Sequence, residues 1–211
     1  MPTYGVALER WANELSRRDL DELVEWSGAD RAGPDRIRLR CLGQDYEIDH
    51  RDGRVWTASG QPVEETLAIM LLLYLTEADG RPLQDRWVAF EQLPGGAGYS
   101  SAFRRPVLGS LLRTFGPRPE ALFEAAAGLD GSSIDMGDAA VVMAALPRVP
   151  VAVVLWGGDE EFAPSVSVAF DASIEGYLDT EAVTALAHFA SRGLIEAAET
   201  GRAGATPTTR D

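Results

Sequence analysis

The chain contains no lysine; all 19 of its basic residues are arginine. That absence excludes lysine Schiff-base chemistry and the lysine of a phosphate-binding P-loop. Cysteine occurs once, at Cys41. Disulfides within the chain, cysteine zinc sites and a self-supplied iron–sulfur cluster are therefore excluded. Histidine occurs twice, at His50 and His188, so a three-histidine zinc site cannot be built. Any native metal would need mostly oxygen ligands, which suit magnesium, calcium or manganese. The residues assign no metal site and name no cofactor. The longest apolar run, "LAIMLLLYL", has nine residues, against the roughly 20 that a membrane-spanning helix needs. The start, "MPTYGVALERWANELSRRD", lacks the apolar stretch of a secretion signal. A cytoplasmic protein with no membrane partner is expected. Positive charge is also scarce: the net charge is −14, which repels phosphate backbones and disfavours a nucleic-acid partner. No G-x-S-x-G nucleophile elbow is present, which argues against an α/β-hydrolase.

What is present is an ordinary globular balance in 211 residues, enough for one domain with a full core. Tyr4, Leu8, Trp11 and Leu15 recur at helical spacing. Asp19 suits the cap of a second helix that Gly28 stops. Alternation then takes over. Ile37, Leu39 and Cys41 share one strand face, and Arg36, Arg38 and Arg40 the other. With Tyr46, Ile48 and "RVWT" this predicts a three-stranded antiparallel meander.

A helix from Pro62 to about Glu77 is apolar all round, which marks it as buried. "RWVAF" reads as a strand, and "QLPGGAGY" as a loop into the helix "SSAFRRPVLGSLLRTFG", which Pro106 interrupts unless it sits in the first turn. A helix near Pro119 follows. Three strands, "AAVVMAAL", "VPVAVVLW" and "SVSVAF", come next, and a last helix starts near Asp179. Strands arrive in groups rather than alternating singly with helices. The expected fold class is therefore α+β, with antiparallel sheets packed against helices in a single domain. Residues 1–198 form that domain; the small polar residues 199–211 read as a disordered C-terminal tail.

The segments "LLLYL", "WVAFEQLPGGAGYSSAF", "GDAA", "LPRVPVAVVLWGGDEEFAPSVSVAFD" and "YLDTEAV" occur in this order. In this the chain resembles the bacterial family called domain of unknown function 3786, from about Leu39 to Leu194. The resemblance implies no activity. Some relatives carry a short cysteine-rich segment of iron–sulfur type, and this sequence has none.

Two stretches stand out as candidate sites. "WGGDEEF" places Trp156 beside Asp159, Glu160 and Glu161, after two glycines that permit a bend. The plain alternative is a solvated turn between two strands. Asp171, a strand length away, fits a helix cap better than a shared metal site. "LPGGAGYSS" lies between a strand and a helix. Its glycines allow close approach to backbone N–H groups at a helix start, and Arg104 and Arg105 add charge. Its spacing matches neither G-x-G-x-x-G nor the P-loop, and a tight loop packing Tyr99 inward explains it equally well. "DGSSIDMGD" does not fit a calcium loop and reads as a turn. His188 shares a helix face with Glu181 and Arg192, as surface histidines often do.

The leading expectation is a non-catalytic cytoplasmic module that binds a small molecule or a protein partner. Its ligand-binding residues would be Gly95, Gly96, Tyr99, Arg104, Trp156, Asp159 and Glu161. The alternative is an oxygen-ligated, metal-dependent enzyme using Asp159, Glu160 and Glu161, with His188 as base.

Overall fold

The computed structural model describes residues 4–158 and 161–204. It is an α+β fold with two antiparallel sheets, as the grouped strands predict. Two helices lead: α1 (Tyr4–Arg17) and α2 (Leu20–Ser27). The Asp19 carboxylate accepts from the N–H groups of Asp21 and Glu22, both at 3.0 Å, and Gly28 ends α2 in the left-handed conformation. Both caps are the ones the residue types call for.

The first sheet has four strands in sequential order: β1 (Asp30–Gly33), β2 (Arg36–Cys41), β3 (Gln44–Asp49) and β4 (Val55–Thr57). β2, β3 and β4 form the predicted meander. β1 is an additional edge strand, and "DRAG" carries no apolar alternation by which to find it. Along β2 burial alternates: Ile37, Leu39 and Cys41 are buried and the three arginines are exposed. Two of those arginines are paired. Arg36 meets Glu47 at 2.9 Å, and Arg40 is gripped by Asp45 and Asp130.

α3 (Glu65–Glu77) starts three residues later than Pro62 suggests, because Pro62 bridges back to Trp56. From Leu67 to Thr76 every residue but Ile69 is buried. Tyr74 at its centre ties three parts of the chain together. Its hydroxyl donates to the Ser27 carbonyl at 2.6 Å and accepts from the Arg148 N–H at 3.1 Å. Its ring stacks on Tyr177 with centroids 5.9 Å apart, and the Tyr177 hydroxyl donates to the Arg81 carbonyl.

The second sheet has the order β5-β9-β8-β7-β6, from β5 (Trp87–Ala89), β6 (Gly131–Ser133), β7 (Ala139–Leu146), β8 (Val149–Trp156) and β9 (Ser165–Asp171). β6 is a short edge strand inside the segment expected to be a plain turn. β8 is central, with Val151 to Leu155 buried on both faces, as its unbroken apolar run requires. Asp171 ends β9 and caps the one-turn 3-10 helix Ala172–Gly176, accepting from the Ser173 N–H at 2.9 Å. It also accepts from Gln84 at 2.9 Å. Burial pushes its carboxyl up, but these backbone donors outweigh that and hold it below the usual carboxylate range.

Between β5 and β6 the chain forms α4 (Gly96–Phe103), a π-helical turn (Arg104–Leu108), α5 (Gly109–Phe115) and α6 (Ala121–Ala127). α7 (Thr180–Gly204) closes the fold, with the Asp179 carboxylate accepting from Ala182 N–H at 2.8 Å. Composition assigns residues 199–204 to the tail, yet they continue this helix. The reason is that its buried stripe runs on through Leu194 and Ala198. Residues 205–211 lie outside the described residues. One continuous core takes residues from both sheets and from all seven helices. No helix among the described residues is long and apolar enough to cross a membrane.

Tyr74→Phe removes the hydroxyl that Ser27 and Arg148 share, in a buried setting. The expected loss is about 1–3 kcal/mol, read as a lower denaturant midpoint at unchanged slope. An unchanged midpoint would show that the three-way tie contributes nothing.

Candidate functional site

α4 and the first half of α7 lie side by side, and a cleft of about 450 Å³ opens between them and the start of α3. α4 contributes Tyr99 and Ala102. α7 contributes Glu181, Thr184, His188 and Arg192, which recur on one helix face. Glu64 and Thr66 reach in from the start of α3, and the buried ring of Phe189 forms part of the floor.

The polar groups are held in a specific way. Pro106 has no N–H, so the carbonyl four residues back, that of Ala102, receives no helical bond from that position. The π-helical turn that follows accommodates the proline ring. His188 on α7 supplies the missing donor: its Nε2 lies 3.1 Å from the Ala102 oxygen. A carbonyl only accepts, so Nε2 carries a proton and donates it there. Thr184 donates its hydroxyl to the Thr180 carbonyl at 2.8 Å. The Arg192 guanidinium pairs with Glu64 at 3.4 Å and with Glu196 at 3.9 Å, and lies 5.1 Å from the Phe189 ring centre.

Beyond Arg192 and Phe189, which line both spaces, a second cavity of about 340 Å³ reaches Cys41, Tyr46, Leu67 and Leu129. Burial pushes the Cys41 thiol up to about 12, and the Tyr46 hydroxyl likewise to about 12.

The sequence candidates divide. The "LPGGAGYSS" segment is partly helical rather than a loop: α4 begins at Gly96, inside the glycine run. Gly95 precedes it at φ 76°. A Cβ on Gly96 would collide with the Phe90 carbonyl oxygen, so packing of the helix start on the preceding turn requires the glycine there. Arg104 faces Glu91 at 3.2 Å. Of this segment, Tyr99 is the residue that lines the cleft.

Trp156 and Glu161 lie elsewhere, at the end of the β8–β9 hairpin, and line neither cavity. Trp156 stands opposite Ser165 and is 41% exposed, so it is not the core lid that its apolar strand suggests. Just beyond it the Gly157 N–H donates to the Asp138 carboxylate at 2.6 Å. Asp159 and Glu160 lie outside the described residues. Among the described residues, no three histidine, cysteine, aspartate or glutamate side chains are grouped to hold a metal ion.

Sequence reasoning placed Glu181, His188 and Arg192 on one face, which the cleft confirms. It missed Glu64, Thr66, Ala102 and Thr184. For Thr184 the signal was available in the helical repeat. For Glu64 there was none, because 128 residues separate it from Arg192.

Residues 19–192 match the model of a family described as a domain of unknown function, DUF3786. The chain belongs to that family. The DUF3786 match begins at Asp19, the cap of α2, and ends at Arg192, so the cleft residues from Glu64 to Arg192 fall within it. α1 and the last part of α7 lie outside it. No curated protein and no solved structure matches the chain.

Two outcomes follow from burial. Trp156→Ala should cost only about 1–2 kcal/mol, below the roughly 3–5 kcal/mol of a core tryptophan; a core-sized loss by denaturant unfolding would contradict the exposed placement. Cys41 in the native chain should react with a thiol reagent near neutral pH only as fast as the fold opens, and at once in denaturant, because the thiolate is the reactive form. Rapid reaction of the native protein would show that the second cavity admits the reagent.

Proposed function

We propose that this protein is a non-catalytic, cytoplasmic small-molecule-binding module whose site is the cleft between α4 and α7. One observation carries the reading. The cleft's volume of about 450 Å³ falls in the range of small-ligand sites, and its floor is apolar while a few polar groups converge on it. That combination supports capture of one small molecule rather than a flat protein contact. It also moves the centre of the site away from Trp156, Asp159 and Glu161 and toward Tyr99, His188 and Arg192. The net charge of −14 supports a ligand other than nucleic acid. The metal-dependent alternative rests on Asp159, Glu160 and Glu161, of which the first two lie outside the described residues, and no observation favours it.

The experiment is a small-molecule screen followed by amide-detected NMR, on the wild type and on Ala102→Trp. Ala102 is exposed and lines the cleft, so the indole fills the space without entering the core. Binders should shift resonances of α4 and α7 in the wild type and lose that effect in the variant, with the melting temperature retained. Shifts that gather instead on the β8–β9 hairpin would overturn the assignment.

A further inference from the structure

We propose that the ligand of the cleft is a protonated amine on a small, partly apolar body. The inference rests on the cleft being the binding site and adds the chemistry of what it takes.

The polar groups of the cleft differ in what they leave open to a ligand. His188 spends its Nε2–H on the Ala102 carbonyl that Pro106 cannot serve, so that N–H is not offered to a ligand. Thr184 spends its proton on Thr180, so its oxygen offers lone pairs only. Glu181 lines the cleft and, among the described residues, has no partner. Glu64 is a second acceptor at the opposite end. The charge of the cleft's one arginine, Arg192, is paired with Glu64 and Glu196. The Tyr99 and Thr66 hydroxyls can both give and accept. Of the cleft's charged side chains, Glu64 and Arg192 pair with each other, and Glu181 is the one without an ion-pair partner among the described residues. An ammonium group answers that negative charge and donates to the oxygens of Glu181 and Thr184. The Tyr99 ring beside it suits a cation, while Ala185 and Phe189 receive an apolar body. The overall negative charge steers cations toward the protein and anions away.

The test uses the full chain and three probes sharing one body: phenethylamine, phenylethanol and phenylacetate, titrated at millimolar concentration and read by NMR. Phenethylamine should shift cleft resonances. Phenylethanol should bind at least about tenfold more weakly, having lost a charge-assisted hydrogen bond, and phenylacetate should produce no shift there. Glu181→Gln, at an exposed position, should weaken the amine by about tenfold and leave the alcohol unchanged. Glu199→Gln removes the same charge from an exposed site on α7 outside the cleft and should leave amine binding unchanged. Binding led by phenylacetate or phenylethanol in the cleft would overturn the amine while leaving the cleft as a ligand site. Indifference of phenethylamine to Glu181→Gln would do the same. No cleft shift with any probe would overturn both. A capped lysine peptide that binds more tightly than phenethylamine would assign the amine to a protein partner and overturn the small-molecule source.

Discussion

A helix with no polar side must be enclosed on all of its sides, and α3 is such a helix. Nine of its residues are buried, six of them leucine or methionine, and each large apolar side chain contributes about 1.5–3 kcal/mol when removed from water. The rest of the fold is arranged to supply that cover. α1 and α2 pack against it from the N-terminal part of the chain and α7 from the C-terminal part. Because a buried helix must also satisfy its polar atoms, the few it carries become ties. Thr76 bonds back to the Leu72 carbonyl, the Thr76 carbonyl accepts from Arg18, and Tyr74 reaches Ser27 and Arg148. These bonds anchor the C-terminal end of the helix to Arg18 just beyond α1, to the end of α2 and to the turn before β8.

The cleft is a consequence of two further constraints. Pro106 interrupts the run from α4 to α5, and the π-helical turn absorbs it. The interruption leaves a carbonyl that a helix on its own would have satisfied, and α7 satisfies it through His188. A backbone irregularity in one helix thereby engages a side chain on another. At the far end Arg192 spans from α7 to Glu64 and lies against Phe189, separating the cleft from the cavity that reaches Cys41. These pairs are exposed, so their worth lies in placing groups more than in stability.

Much of the fold was legible in the residues. Alternation in β2 and β3, the caps Asp19, Gly28 and Asp179, and the unbroken apolar run of β8 each state a local preference that the structure keeps. The edge strands β1 and β6 were not legible, since short strands of polar and small residues gain their pairing from a neighbour rather than from their own pattern. Gly96 was read as part of a ligand loop because glycine signals close approach. The approach is real, but what comes close is the carbonyl of Phe90.

The candidate site shows the same division. The sequence by itself determined the chemistry that is excluded, through its missing lysines and its single cysteine. It also determined the face of α7 that carries Glu181, His188 and Arg192, because helical periodicity is a local property. Tertiary structure decided which of the two suspected stretches meets that face. It brought Tyr99 and Glu64 to α7 and left Trp156 at a distant hairpin end. That choice depends on how α3, α4 and α7 pack around a shared core, and contacts between residues far apart in the chain leave no trace in the spacing of either partner.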